Sequence, residues 1–133
     1  MSTSLVALCA FAGWTLLLVF TLAGVRVLNS QRTGKAVNSF RPDGTDLEGF
    51  GARLTRAHLN CVEFLPAFAA VILAAAVAGQ GAVTDGLAMP ALFARIGQSL
   101  VHIASTAIPA VLLRATLFVV QILIVFWWIV ALI

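Results

Sequence analysis

Four apolar runs, each close to the roughly 20 residues a helix needs to cross the hydrocarbon of a bilayer, leave this chain few folds to choose from. They cover about 5–28, 53–78, 87–107 and 109–133, and the largest polar connection is the loop 29–52. Such runs are apolar on every face and lack β-barrel alternation, so the helix is the only backbone that satisfies its own hydrogen bonds in lipid. Composition agrees: 62% hydrophobic and 10% charged residues in 133 positions, with a mean hydropathy of +1.07, lie far from the about 25% charged residues of soluble domains. The sequence therefore predicts an all-α fold, an integral membrane four-helix bundle forming a single domain over 1–133. The first run has no basic segment before it and is too long for a secretory signal, so it is expected to stay in the mature protein.

Basic residues set the expected orientation. Arg26, Arg32, Lys35, Arg41, Arg53 and Arg56 lie in or beside loop 29–52, whereas the second connection, "GQGAVTDG", carries only Asp85. The positive-inside rule places loop 29–52 of this multi-pass protein in the cytoplasm. The net charge of +3 reflects few acids rather than a nucleic-acid footprint. Cys9 and Cys61 fall at different depths on different spans and read as packed thiols. With isolated thiols, His58 and His102 on separate spans and no HExxH, no metal site is expected. Phosphate chemistry has no glycine-rich loop to work with.

Polar residues inside the spans are the informative ones. Arg56, Asn60 and Glu63 stand at i, i+4 and i+7, on one face of the second span; Arg95, Ser99 and His102 repeat that spacing on the third. At 1.5 Å per residue, Glu63 lies roughly 16 Å into its span and Arg95 roughly 12 Å from the opposite face, which puts both near mid-bilayer. A lone charge there costs at least about 2.5 kcal/mol, so a Glu63–Arg95 ion pair is expected. His102 and Arg114 lie a turn or two from "STAIP", in the same half. The spacing thus predicts a cationic pocket open to the cytoplasm and closed beyond mid-bilayer, suited to an anionic ligand. Arg26, Arg53 and Arg56, close to span ends, are also placed to snorkel. His58, Trp14, Trp127, Trp128 and Gln121 read as packing or interhelical contacts.

The elements "RLTRAHLNCVEFLP", "ARIGQSLVHI" and "LLRATLF" resemble the MAPEG family, membrane-associated proteins of eicosanoid and glutathione metabolism, and its small bacterial members in particular. The resemblance runs over nearly the whole chain. It implies a homotrimer with glutathione as co-substrate between subunits on the cytoplasmic side, contacted by Arg56, Asn60, Glu63 and Arg95, with Arg26 and His102 as further binding positions. Arg114 is implied as the catalytic residue that stabilises the thiolate. The implied activity is that of a transferase or peroxidase acting on a lipophilic electrophile or hydroperoxide. A non-catalytic lipid-binding or scaffold protein of the same fold is the alternative, and a transporter fits less well because the polar groups stop at mid-bilayer. His102 stands where the eukaryotic enzymes usually carry a tyrosine, and this chain has no Tyr. Leu59 replaces a basic residue of some members.

Overall fold

A computed structural model describes residues 1–133. It contains four long helices, α1 (Thr3–Thr33), α2 (Gly49–Val77), α3 (Ala82–Ala104) and α4 (Ile108–Leu132), and one short 3-10 turn, Val37–Ser39. Each long helix is long and apolar enough to cross a membrane, and there is no strand. The chain is a multi-pass, all-helical membrane protein.

Local chemistry sets the helix ends. The Ser2 side chain accepts from the Leu5 N–H and starts α1, which ends where Gly34 turns left-handed at φ 73°, a conformation that suits a residue without Cβ. Helix α1 thus runs past position 28 through "NSQRT", because polar residues remain helical once outside the hydrocarbon. The polar loop is correspondingly short, 34–48. In the same way α3 begins at Ala82, so Asp85 sits in a first helical turn rather than in a connection. Pro109 occupies the first turn of α4, where its missing N–H costs nothing.

Helices α1, α2 and α3 pack on one another, whereas α4 lies along α3, touches α2 along a narrower line and does not meet α1. Small residues, Ala7, Ala75, Ala88 and Ala91, are fully or almost fully buried and let backbones approach closely, the usual means of helix association in lipid. Aromatic rings fill the centre. Phe68 meets Phe11 edge-on at 5.5 Å between centroids and Trp128 at 5.7 Å. On the side away from the polar loop, Asp85 Oδ1 accepts from both the backbone N–H of Ser4 at 2.8 Å and its hydroxyl at 2.7 Å. A carboxylate of α3 thereby caps an orphan donor of α1.

The polar loop folds back on the helix ends. Lys35 pairs with Asp46, Asp46 accepts from the Arg41 N–H, and Arg26 donates to the Arg41 carbonyl. Gly44, at φ +69°, lies so close to α2 that a Cβ would fall 2.6 Å from Thr55 Cγ2. Only glycine meets both the angle and the space there.

Candidate functional site

Three cavities follow one another along α2, starting from the loop side. The first, about 250 Å³, lies between the start of α2 and the end of α3 and is lined by Arg53, Arg56, His102 and Thr106 with Gly49 and Ala52. The second, about 230 Å³, is bounded by Asn60 and Glu63 of α2, Gln98 of α3 and Arg114 of α4, with Val111, Ala115 and Phe118 as its apolar wall. The third, about 290 Å³, is wholly apolar: Phe64 and Ala67 face Phe118, Ile122, Val125, Phe126 and Ile129. Phe118 belongs to both the second and the third. The i, i+4, i+7 stripe of α2 supplies one wall of the first two cavities, as its spacing requires.

The partition between the first two cavities is a hydrogen bond. Asn60 Nδ2 lies 3.2 Å from His102 Nδ1, with Asn60 on the central cavity and His102 on the loop-side one. With Nδ1 as acceptor, the ring proton sits on Nε2. His102 is only 3% exposed, and its Nε2 is buried without a protein partner. Arg53 does more than reach the headgroups: its Nε donates to the Ile103 carbonyl at 2.6 Å, which ties α2 to the last turn of α3 and fixes one side of the recess. Arg56 is exposed along the same edge.

The expected Glu63–Arg95 ion pair does not form. The structure's ion pairs are Lys35–Asp46 and Arg41–Asp43, both in the polar loop. Arg95 is 1% exposed, and its guanidinium lies 4.4 Å from the Phe64 ring centroid and 5.6 Å from those of Phe11 and Phe118. Its Nη1 donates to the Asn60 carbonyl at 3.3 Å, while Nε and Nη2 have no partner. Aromatic faces from three helices thus take the place of a carboxylate, each such contact contributing about 0.5–2 kcal/mol when desolvated. Glu63 is exposed on the chain's surface at the rim of the central cavity. Equal depth predicts one level for the two residues, but Glu63 faces outward from α2 while Arg95 of α3 is buried among the rings.

Of the positions expected to act together, Asn60, Glu63 and Arg114 meet at the central cavity, and Arg56 and His102 meet at the loop-side one. Arg95 lies behind the central cavity, touching two of its lining residues, Asn60 and Phe118. Arg26 is not brought to any of the three cavities; it holds the polar loop through Arg41. Gln98 was missed. The signal available for it was its place three residues after Arg95, one turn along the same helix, together with a second lone amide, Gln121, in a helix that is otherwise almost all apolar. His58 is half-buried and lines none of the cavities.

The lining carries charge of both signs: Arg53 and Arg56 offer guanidinium donors at the loop-side cavity, while Glu63 and Arg114 set one carboxylate and one cation at the central cavity. The loop-side and central cavities are each below the about 300–1,000 Å³ of most ligand pockets, so a ligand of ordinary size needs both together or a wall from another chain. The family model for the MAPEG family matches residues 4–133. Neither a curated protein nor a solved structure matches the chain.

Proposed function

Because the chain belongs to the MAPEG family, we propose that it is a membrane-bound, glutathione-dependent transferase or peroxidase whose second substrate arrives from the lipid. The observation that carries this reading is the order of the cavities along α2: cationic, then mixed, then wholly apolar. A charged water-soluble tripeptide and a lipophilic partner meet where such a gradient changes sign. In this reading Arg56, Asn60, Glu63 and His102 hold glutathione, Arg95 supports Asn60 from behind, and Arg114 stabilises the thiolate. A cation beside a thiol raises the fraction present as the reactive anion. With an electrophile, the sulfur forms a bond to carbon and the displaced electron pair leaves on the partner atom, which takes up a proton. With a hydroperoxide, sulfur attacks the terminal oxygen, the O–O bond breaks, and the alkoxide is protonated. The resulting sulfenic acid is resolved by a second glutathione to the disulfide and water.

Loop 34–48 faces the cytoplasm in this proposal, where glutathione is found, and the active form is a homotrimer. Glu63 supports the assembly, since an uncovered carboxylate at that depth would cost about 2.5 kcal/mol or more in lipid, and a neighbouring copy would cover it. Arg26, which lines none of the three cavities and holds the polar loop through Arg41, reaches glutathione in this proposal only from a neighbouring copy. Titration calorimetry in detergent tests the reading. Glutathione should bind, and Arg114→Ala should weaken binding or turnover about 10-fold or more, the worth of a charged hydrogen bond of about 1.5–3 kcal/mol. No heat with glutathione would remove the enzyme. The all-apolar third cavity supports the competing reading, a non-catalytic lipid-binding or scaffold protein, which is favoured if a generic electrophile is turned over by neither the wild type nor Arg114→Ala.

A further inference from the structure

Gln121 is the most deeply buried polar side chain of α4, with 0% exposure, in a helix where an aliphatic residue would pack without cost. Its amide nitrogen donates to the Leu117 carbonyl at 2.8 Å and to Gln98 Oε1 at 3.1 Å. The Leu117 carbonyl can only accept, so the Gln121 atom facing it must be the nitrogen. Both protons of that nitrogen are then committed, and the Gln98 atom opposite must be its carbonyl oxygen. This leaves the Gln98 nitrogen pointing away from Gln121, with no acceptor in the chain. Gln98 lines the central cavity beside Glu63 and Arg114. Gln121 Oε1 meanwhile stays buried without a partner, an arrangement that favours the N–H pair at the expense of its own carbonyl.

The geometry points to Gln98 as a fixed, uncharged hydrogen-bond donor to the acceptor atom of the ligand in the central cavity, and to Gln121 as the positioning residue that sets its polarity. For the ligand this inference rests on the glutathione reading. The thiolate sulfur is then held between a cation, Arg114, and a neutral N–H pair that neither gains nor loses a proton near neutral pH. An amide free to rotate would present its oxygen about as often, and an oxygen beside a thiolate repels it. Gln121, a turn beyond Phe118 on α4, removes that alternative.

Side-chain amide spectra of ¹⁵N-labelled protein in micelles, assigned through Gln98→Glu and Gln121→Leu, test the polarity without ligand. The Gln121 N–H pair should be protected from solvent exchange and the Gln98 pair should exchange. In Gln121→Leu, or in Gln121→Met should the former fold poorly, the Gln98 pair should lose its single environment. A Gln98 pair that is protected and indifferent to either Gln121 substitution overturns the inference. With glutathione added, the Gln98 pair should shift. The ultraviolet absorbance of the bound thiolate should fall severalfold in Gln98→Ala and in Gln121→Leu, with kcat lowered more than KM is raised. The double variant should be no worse than Gln98→Ala alone, because the second residue acts through the first; losses that add independently overturn the positioning role. A wild type in which glutathione moves no resonance sinks the glutathione reading and the role toward its sulfur together, while the ligand-free spectrum still decides the polarity.

Discussion

At the scale of single residues, Arg95 sets the terms. A guanidinium spreads its charge over a plane and can lie against several rings at once, while an ammonium on a flexible stem cannot. Arg95→Lys is therefore expected to lose the contacts with Phe11, Phe64 and Phe118 and the hydrogen bond to the Asn60 carbonyl. It should lower stability by about 1–3 kcal/mol, read as an earlier thermal unfolding midpoint in detergent; an unchanged midpoint would mean that the rings contribute no more than packing. The sequence made legible that Arg95 lies inside an apolar helix and needs a partner there. The kind of partner was not legible, because position along a helix axis follows from residue number but rotation about it does not, and Phe11 and Phe118 reach the site from α1 and α4. Gln98 escaped notice for a related reason. An uncharged amide carries little cost that would mark it out, and its orientation follows from a contact with α4 that no spacing within α3 encodes.

At the scale of elements, two ties hold helix ends in place on opposite sides of the molecule. Asp85 joins α3 to the first turn of α1, and Asp85→Ala should cost about 1–2 kcal/mol, the usual worth of a lost helix cap, seen as a lower unfolding midpoint and faster amide exchange at Ser4. The second tie is the polar loop. The Lys35 ammonium, donating to its carboxylate, holds Asp46 below the ordinary carboxylate range, helped by the Arg41 N–H. Since the folded form binds the proton less readily than the unfolded one, this tie is fully present above the ordinary carboxylate range and fades as pH falls through the lowered value. Protection of the Arg41 amide relative to its intrinsic exchange rate should thus fall in acid, and Asp46→Ala should show the same loss of protection at neutral pH. Helix existence was legible from apolar runs alone. Their ends were less so, since the five polar residues after position 28 and Asp85 continue or open helices that hydropathy would stop.

For the whole molecule, the organising property is the gradient along α2, from Arg53 and Arg56 through Asn60 and Glu63 to Phe64 and Ala67. Ala67→Trp should fill the apolar cavity of about 290 Å³. Under the proposed function it is expected to weaken use of a lipophilic substrate about 10-fold or more while leaving glutathione binding within about 2-fold, since overfilling an apolar site costs about 1–3 kcal/mol and stays local. Equal loss of both would mean that the cavities do not divide their labour. The polar half of this gradient was legible from the stripe on α2. The apolar half was hidden among residues that look alike in sequence, and only the placing of α4, against α3 and much less against α2, opens it.

The ring-lined seat of Arg95 also fixes the sign of the field in the middle of the protein. A guanidinium neutralised by a carboxylate would vanish electrically at a distance, and it would switch on whenever that acid took up a proton. Surrounded instead by benzene faces and a carbonyl, the charge has no carboxylate within ion-pairing reach, so its pull on any anion nearby is not cancelled by a partner.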